Sequence, residues 1–542
     1  MAVTEKKHRI HVNSKNEKGL IGEDIVTEMP RDDRMQFDTP KKDKLRIMPI
    51  SDSPWAPTGF GTNTKNVAAI LVKDGHHIGY GGCQNPAHVK YGTNWPLGQA
   101  EEKVEWENLP IMFPGQERFG EKSFHQWVKN FKPDVVWTHL DFQMFTHIAS
   151  TKNPHEAKIP LRNKEGKLLS RKERIDLVNQ MYKVISQGPP WKWAATIPFD
   201  GQPCVESWQE ALDQIDYKIC MSRYGQLCME EEFKGCEESW YIPHGVDCTL
   251  FKPIMEPMYG NTPLKDIADG AFVVGCVARN QHRKNIPQLI KGFKEFIDRN
   301  DLGPEDAKLI LHMDWNDAMG WKFPHFTEQY GISEYLLPAR MGVLDAGEAL
   351  SESSMAHLYN CMDVFVLPTA GEGFGIPTIE AMACGTPVAV TNYTTAWEII
   401  KEDDPETADI PLYPLGGKPG TDEKINGRDH LLEEDICEAG ILLPYKDMWW
   451  DTPARAAPQR AICSAVAIAD ALDYYYHNPK AKLKAGKAAR AKAKKEYDWP
   501  VIEQRWLKMS KVWEERHKPL KDKLEEKSAP KQRGGMRRRR KK

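Results

Sequence analysis

A glycine-rich stretch that follows a strand-length apolar run decides the fold class. It reads Pro368-Thr-Ala-Gly-Glu-Gly-Phe-Gly-Ile-Pro-Thr-Ile-Glu380 and comes directly after residues 363–367. Pro377 suits the first turn of a helix, so the stretch predicts a strand, a glycine loop and a helix in succession. The N–H groups at such a helix start favour anions, and the carboxyl ends of parallel strands are where α/β sheets bind ligands. The stretch therefore predicts a ligand-binding loop at the edge of a parallel sheet.

Strand-length apolar runs alternate with helix-length segments on both sides of this stretch. The first runs lie at 45–50, 77–80, 134–138, 193–198, 217–221 and 240–243, and the pattern restarts at 272–278, 308–313, 387–391 and 440–443. Helical spacing marks 63–73, 206–212 and 286–299, the last with Asn285 as its expected N-cap. Such alternation predicts parallel sheets covered by helices on both faces. The expected fold class is α/β, with two doubly wound, Rossmann-like domains facing a cleft.

The restart of the pattern sets the expected domain boundaries. We expect a polar extension over residues 1–43, a first Rossmann-like domain over 44–253 and a second over 254–498. Within the second domain, 403–435 is expected to be a surface insertion, and 456–476 and 480–497 to be helices. A further helix should run from Trp499 to Glu515 and cross back to the first domain, leaving a basic tail over 516–542.

Composition and charge exclude several classes of protein. The 542 residues are 28% charged and 40% hydrophobic, as in ordinary globular proteins. The formal net charge is −3, yet the last fifteen residues hold eight Lys or Arg and no acidic residue, so the rest of the chain is acidic. A nucleic-acid surface over the whole body is therefore excluded, and contact with a polyanion (nucleic acid or anionic lipid) is confined to the tail from Arg537 to Lys542. This tail is equally well explained as a solubilising end.

Cysteine usage and hydropathy indicate the compartment. The eleven cysteines are scattered with no C-x-x-C pair, which favours free thiols in a reducing compartment. No apolar run is long enough for a membrane span, and the N-terminal residues are too charged for a signal peptide. We expect a cytoplasmic protein.

A second chemical signal lies just past the first strand of the second domain. It reads Gly275-Cys-Val-Ala-Arg-Asn-Gln-His-Arg-Lys-Asn285. Arg279 and Lys284 stand five residues apart at that rim and suit a diphosphate, with Arg offering a bidentate fork and Lys a point charge. Arg283 competes with Lys284 for this role. Across the loop, Glu372 and Glu380 offer one acidic group for a sugar and one for a ribose.

These two signals together resemble the GT-B glycosyltransferases, most closely the retaining family 4 (glycosyltransferase group 1) enzymes. The segment from Glu372 to Glu380 is similar to the family's E-x7-E motif, and Arg279 with Lys284 to its diphosphate-binding pair. His244-Gly-Val-Asp247 is similar to the family's segment at the domain junction. The resemblance covers roughly residues 44–515 and implies transfer of a sugar from a nucleotide-sugar, which is a co-substrate, with no separate cofactor.

The resemblance also implies roles for individual residues. Glu380 would bind the ribose hydroxyls, Glu372 the donor sugar, and Arg279 and Lys284 the diphosphate. Backbone groups of two glycine loops would add donors around the phosphates and sugar; their residues are Gly59, Gly61, Gly373, Phe374, Gly375 and Thr378. His139, expected at a strand's carboxyl end, would lie near the donor sugar. Asp141 and Asp200 are the candidate acceptor contacts.

The mechanism follows from where charge develops. Breaking the bond between the sugar carbon and the diphosphate builds negative charge on the leaving group, which Arg279 and Lys284 would stabilise. No D-x-D triplet occurs in the chain, so we expect metal-independent transfer and no metal site. The resemblance further implies retention of configuration, by front-face attack in which the leaving phosphate accepts the acceptor's proton.

Two other functions stay open at this point. One is different chemistry on the same scaffold, by a disaccharide phosphorylase or a nucleotide-sugar epimerase. The other is a polyanion-binding protein that acts through its Arg-rich tail and carries a vestigial sugar site. The nucleotide base, the sugar, the acceptor and the oligomeric state are not readable from the residues.

Overall fold

A computed structural model describes residues 44–54, 56, 58–83, 94–95, 109–112, 119–121, 123–152, 191–315, 317, 320–337, 350–401, 410–413, 427–451 and 458–528. The predicted extension over 1–43, most of the predicted insertion and the segment 529–542 lie outside these residues, and with them the basic run 537–542. All described residues belong to one unit that begins at Thr39. Within the part of the chain that is described, no helix combines the length and apolar character needed to cross a bilayer.

The first sheet belongs to residues 44–253, here called the N-terminal half. Its nine described strands run in the order β4-β5-β3-β1-β6-β7-β8-β9, with β2 paired to β1, and among these described strands only the β4–β5 pair is antiparallel. The strands are β1 Arg46–Asp52, β2 His77–Ile78, β3 Tyr80–Cys83, β4 Asn94–Trp95, β5 Leu109–Met112, β6 Val135–His139, β7 Lys192–Ile197, β8 Tyr217–Cys220 and β9 Ser239–Tyr241. The helices are α1 Gly59–Lys73, α2 Phe124–Phe131, α3 Thr146–Lys152, α4 Gln209–Leu212 and α5 Arg223–Glu232, with 3₁₀ turns at Phe142–Met144 and Glu206–Trp208.

The second sheet belongs to residues 254–498, the C-terminal half. After a small hairpin of β10 Met258–Tyr259 and β11 Thr262–Pro263, seven strands run in the order β14-β13-β12-β15-β16-β18-β17, and of the strands that the structure describes here only β17 is antiparallel. They are β12 Phe272–Val277, β13 Ala307–His312, β14 Leu336–Leu337, β15 Val364–Leu367, β16 Val388–Thr391, β17 Ile436–Cys437 and β18 Gly440–Leu443. A separate hairpin joins β19 Tyr445–Trp450 to β20 Gln459–Cys463.

Helices cover the second sheet and continue into the C-terminal segment. They are α6 Lys265–Ala268, α7 Ile286–Arg299, α8 Phe323–Gln329, α9 Glu352–Asn360, α10 Ile376–Cys384, α11 Ala396–Ile400, α12 Ala465–His477, α13 Pro479–Lys492 and α14 Trp499–Ser528, with 3₁₀ turns at His282–Lys284, Ser333–Tyr335 and Glu433–Asp435 and a π-helical turn at Ala493–Tyr497. In α7 the apolar side chains recur every three to four residues and are buried in the core of the C-terminal half, which explains why this segment is a helix.

Each sheet has one topological switch point. In the second sheet the strand order reverses between β12 and β15, and in the first between β1 and β6. At such a point the loops leave the sheet in opposite directions and open a crevice at the carboxyl ends of the strands. The predicted α/β class with two doubly wound sheets is therefore confirmed, and the two crevices lie where the sequence signals place the chemistry.

The last helix packs on the first sheet. Ile502, Trp506, Met509 and Trp513 are buried in the core of the N-terminal half, and the Trp506 ring lies 4.6 Å from that of Trp137. Immediately before the helix, Val246 and Asp498 form a parallel bridge between the two halves. The helix extends to Ser528, beyond the predicted end at Glu515.

Three further local predictions differ from the structure. The apolar run 77–80 forms two short strands rather than one, with a break at Gly79. Asn285 does precede α7, but it adopts a left-handed φ of 52° and makes no side-chain cap; its amide instead donates to the Ala461 carbonyl at 2.9 Å. The predicted helix over 456–476 is wrong in its first part, where β20 is a strand, and the helix begins only after Ser464, whose hydroxyl accepts from the Ala467 N–H.

Candidate active site

The two sequence signals meet at the switch point of the second sheet. The loop with Arg279, Arg283 and Lys284 follows β12, and the loop with Glu372 follows β15; these two strands are hydrogen-bonded neighbours. The Ala370 N–H donates to the Arg283 carbonyl at 2.6 Å, so the two loops are joined by their backbones. A parallel sheet brings loops together in this way although they are far apart in the chain.

Glu372 forms the centre of a buried ion-pair cluster. Its carboxylate pairs with the Lys284 ammonium through one oxygen and lies 3.4 Å from Arg283 Nη1 through the other. The Glu372 and Lys284 side chains are each about 10% exposed. Burial would raise the pKa of Glu372, but Lys284 and Arg283 lower it to about 2. Burial and Arg283 lower the pKa of Lys284 to about 8, against an opposing effect of Glu372. All three groups are therefore charged at neutral pH.

Arg279 lies apart from this cluster. Its guanidinium is 47% exposed and pairs with Asp317 at 3.1 Å. The second cation on Glu372 is Arg283, which the sequence left as a competitor of Lys284. Arg283 also donates to the Gly371 carbonyl at 2.7 Å and so braces the glycine loop. The predicted role of Arg279 at the diphosphate remains a prediction.

The glycine loop packs against the N-terminal half. A Cβ on Gly373 would lie 2.9 Å from Pro198 Cβ, and a Cβ on Gly371 would overlap the Asp200 carbonyl oxygen. Gly375, with φ of 104°, precedes α10, which therefore starts at the loop with its first amides lacking intrahelical acceptors. Thr378 is buried in its first turn. Glycines are needed here because backbones of the two halves approach each other closely.

The second glycine loop contacts the first turn of α10. Thr58 caps α1, accepting from the Gly61 N–H at 3.1 Å, and its hydroxyl donates to Asp52 at 2.7 Å. A Cβ on Gly59 would lie 2.9 Å from Ile376 Cδ1, and a Cβ on Gly61 would lie 2.7 Å from the Ser53 carbonyl. The two predicted glycine loops thus face each other across the junction of the halves.

His139 is the last residue of β6 and is fully buried. The Thr64 hydroxyl donates its single proton to Ser51 Oγ at 3.0 Å. In its contact with His139 Nδ1 at 2.7 Å the Thr64 oxygen must therefore be the acceptor. This order of donors assigns the Nδ1–H tautomer and leaves Nε2 as an acceptor, which has no partner among the described residues. Burial lowers the pKa of His139 well below its usual value, so the ring is neutral. A neutral acceptor of this kind suits a ligand hydroxyl.

Aromatic rings connect His139 to the loop of the other half. The His244 ring lies 5.3 Å from His139 and 5.0 Å from Phe374, which is buried. The side chain of Phe374 therefore packs at the junction and fixes the loop. His244 belongs to the junction segment that the resemblance singled out.

Glu380 lies on α10, the helix that begins directly after the glycine loop. Its carboxylate accepts a hydrogen bond from the Tyr359 hydroxyl at 2.7 Å. Burial raises the pKa of Glu380 to about 7, and the Glu352 carboxylate adds to the increase. Lys65 of α1 lies 3.9 Å from Glu352, which brings the opposite wall of the cleft near this position. Glu380 thus titrates near neutral pH, whereas Glu372 is held ionised.

The two candidate acceptor residues lie on the wall formed by the N-terminal half. Asp141 follows β6; desolvation of its carboxylate by the surrounding protein raises its pKa to about 6, and the nearby Asp200 carboxylate adds to the increase. Asp200 follows β7 and lies 3.1 Å from Arg460 Nη1. The structure thus brings Asp200 to the two donor-side loops, and the acceptor role of both residues remains a prediction.

Sequence reasoning missed Arg460 because it assigned this segment to a helix. Two signals point to the strand: Pro458 interrupts the assumed helix, and Ser464 is a good N-cap for the real one. Glu398 was also missed. It is fully buried on α11, and its Oε2 accepts from the Tyr224 N–H at the start of α5 at 2.9 Å.

One group of carboxylate and histidine atoms among the described residues is tight enough to share a metal ion: Asp74, His76 and Glu514. Lys44 already pairs with both carboxylates, at 2.8 Å and 3.0 Å. His76 Nδ1 accepts from the Leu45 N–H, so Nε2 carries the proton and faces Asp74 at 3.1 Å. This group is therefore an ion-pair cluster that fastens α14 to the N-terminal half, and it lies outside the candidate site.

Comparisons with known proteins agree with this geometry. A family model described as glycosyl transferases group 1 matches residues 271–409, which include both donor-side loops. The lipopolysaccharide core biosynthesis mannosyltransferase LpsB of Rhizobium meliloti is 28% identical over 170 residues, which are 31% of this chain and 44% of that protein. A D-inositol 3-phosphate glycosyltransferase of Paenarthrobacter aurescens is 26% identical over 28% of this chain and 34% of its own length. The alignments thus span less than half of these curated relatives.

Solved structures share the whole architecture at low identity. Sucrose-phosphate synthase from Thermosynechococcus elongatus aligns with a TM-score of 0.56 and 16% identity over 87% of this chain and 99% of its own. HepE of Anabaena, in complex with UDP and glucose, aligns with a TM-score of 0.53 and 13% identity over 86% of this chain and 100% of its own.

The architecture is the GT-B fold of these solved structures, with two doubly wound sheets. Within that fold, residues 271–409 match the glycosyl transferases group 1 model. The predicted resemblance to GT-B glycosyltransferases is thereby confirmed, whereas the assignment to the retaining family 4 stays a prediction.

Proposed function

We propose that this protein transfers a sugar from a nucleotide-sugar to an acceptor, with retention of configuration and without a metal ion. The observation that carries the proposal is the buried cluster of Lys284, Arg283 and Glu372 at a switch point, beside a helix N-terminus. Two cations and a helix start concentrate positive potential where a diphosphate would bind. An ionised carboxylate between them is an acceptor for sugar hydroxyls.

Each group has a task in this reaction. The sugar carbon loses its bond to the diphosphate oxygen, and Lys284, Arg283 and the start of α10 stabilise the negative charge that develops there. The acceptor hydroxyl attacks from the same face, forms the new bond, and passes its proton to the leaving diphosphate. Arg279 can join the diphosphate by leaving Asp317, since its side chain is half exposed. The protein supplies no nucleophile in this scheme.

The remaining groups would bind and orient the donor. His139 Nε2 would accept a hydrogen bond from a sugar hydroxyl, and Glu380 in its ionised form would accept from the ribose. The glycine loops are packed closely, because a Cβ on Gly59 or Gly373 would meet a side chain of the other half, so backbone groups rather than side chains of these residues would face the donor. HepE, which shares the fold, is described with UDP and glucose, the kind of ligand that the cluster suits.

Partners and compartment are proposals of the same kind. All eleven cysteines are free thiols, and most are buried, which supports a reducing compartment such as the cytoplasm. The acidic body leaves the basic run 537–542 as the contact for a polyanion, such as an acceptor that carries phosphates.

The decisive experiment is a mass-spectrometric screen of the purified protein against a panel of nucleotide-sugars without acceptor. Slow hydrolysis of one donor, lost in Glu372→Gln but kept in Glu256→Gln at an exposed position, is the expected result. No turnover and no calorimetric binding across the panel would refute the proposal. Phosphate-dependent cleavage of a disaccharide would replace it by a phosphorylase, and epimer formation by an epimerase.

A further inference from the structure

The β19–β20 hairpin connects both donor-side loops to the N-terminal half. The Ala461 N–H donates to the Ala370 carbonyl at 3.1 Å, just before the glycine loop, and the Ala461 carbonyl accepts from Asn285 at the end of the cationic loop. On the same strand, the Gln459 N–H donates to the Gln202 carbonyl of the N-terminal half at 2.7 Å. Strand β20 therefore contacts all three segments that surround the cluster.

Arg460 lies in the middle of this strand with its side chain only 4% exposed. Its Nε pairs with Asp451 at 3.1 Å within the C-terminal half. Its Nη1 pairs with Asp200 Oδ1 at 3.1 Å and also donates to the Asp200 carbonyl. A planar guanidinium can hold two carboxylates in fixed directions, which an ammonium cannot. The side chain is thus a rigid link from one half to the other.

Asp200 also contacts the donor site, through Arg283. Its second oxygen lies 4.0 Å from Arg283 Nε, and Arg283 in turn donates to the Gly371 carbonyl and lies 3.4 Å from Glu372. Burial would raise the pKa of Asp200, but Arg460 and Arg283 lower it, so it is ionised. Without Arg460, Asp200 would keep a single, longer contact, and Asp451 would lose its cation.

We propose that Arg460 is a positioning residue: by holding Asp200 against Arg283 it closes the two halves around the donor site and fixes Arg283 on the glycine loop. The inference rests on the proposed function, because the site that it positions is the donor site. It makes Asp200 a structural bridge of the closed form, in addition to any contact with an acceptor.

The test is a double-substitution cycle on the full-length protein with Arg460→Gln, Asp200→Asn and the combination. Two quantities are measured for each variant: the radius of gyration by X-ray scattering, and kcat and KM for the donor that the screen identifies. We expect each single variant to expand and to lose kcat by about 10- to 100-fold, because a small misplacement of a catalytic group costs that much. The combination should be no worse than either single variant, since both remove the same link.

Arg428→Gln is the matched control. Arg428 pairs with Asp435 through Nη2 at 2.6 Å, and both residues belong to the C-terminal half. Loss of this ion pair should lower the melting temperature with no change in kcat or in the radius of gyration. Arg460→Lys, which keeps the charge but not the fork, covers the case in which Arg460→Gln fails to fold; it should show an intermediate loss of kcat.

Several results would overturn the inference. They are an unchanged kcat in Arg460→Gln, an unchanged radius of gyration, or losses of kcat that multiply in the combination. If the wild-type protein turns over no nucleotide-sugar, the proposed function fails, and the scattering measurement then decides the inference alone. An unchanged scattering profile in Arg460→Gln would refute the inference, and a larger radius of gyration would support the link between the halves.

Discussion

The substitution Glu398→Gln should change how the stability of this protein depends on pH. Glu398 is fully buried where α11 meets the start of α5, and its Oε2 accepts from the Tyr224 N–H at 2.9 Å. Tyr241 offers a weaker bond at 3.5 Å to the other oxygen. Burial raises the pKa of Glu398 from 4.5 to about 7, and the bonds from the α5 amides and the charge of Lys492 only partly oppose this.

The sign follows from proton linkage. Between pH 4.5 and about 7 the folded protein binds a proton at Glu398 that the unfolded chain does not. The stabilisation is therefore complete below 4.5, declines as the pH rises through this window, and is lost above about 7. An interval of about 2.5 pH units corresponds to about 3 kcal/mol. Glutamine keeps an oxygen for the Tyr224 amide and cannot ionise, so the variant lacks this contribution to the pH dependence.

The assay is urea unfolding at about pH 5 and about pH 8, followed by the fluorescence of the buried tryptophans. We expect the free energy of unfolding of the wild-type protein to fall relative to that of Glu398→Gln by about 2 to 3 kcal/mol between these two pH values. Glu256→Gln, at an exposed position, should show no such change. A difference between wild type and Glu398→Gln that stays the same at both pH values would refute the reasoning.

Three further substitutions test the candidate active site. Gly371→Ala should lower the melting temperature and abolish donor turnover because its Cβ would overlap a carbonyl of the other half; Gly303→Ala, whose Cβ would have its nearest neighbour at 3.4 Å, should do neither. Glu372→Gln leaves Lys284 buried without its carboxylate and should lower the free energy of unfolding by about 3 to 5 kcal/mol in urea titrations, so an unchanged transition would contradict the ion pair. The pKa of Glu380 is raised to about 7, so calorimetric donor affinity should weaken as pH falls below that value, and a pH dependence that persists in Glu380→Gln would assign it to another group.

Much of the donor side could be predicted from the sequence because its signals are local. The glycines of residues 371–375, Pro377 and the apolar run before them act within one strand, one loop and one helix start. Such local patterns form the same strand, loop and helix start whatever the rest of the fold is. The parallel sheet then brings the loops after β12 and β15 together. The sequence also marked Arg283 as a competitor of Lys284 beside Arg279, but it could not show that Arg283 and Lys284 both contact Glu372.

Other errors had identifiable physical causes. The segment before Ser464 is apolar and alanine-rich, so helical propensity favoured a helix, whereas pairing with β19 makes it a strand. The end of α14 was placed too early because polar residues after Glu515 carry no periodic apolar signal, although they favour helix.

The sequence by itself determined the α/β class, the two doubly wound sheets, and the loop that carries Glu372, since glycine conformations, capping and apolar periodicity depend on near neighbours. Only the tertiary structure decided which charges meet: Lys284 with Glu372, Arg460 with Asp200, and Glu398 with the start of α5. Each of these pairs joins residues far apart in the chain, and Coulombic and hydrogen-bond energies depend on distance and burial in the folded protein rather than on position in the sequence.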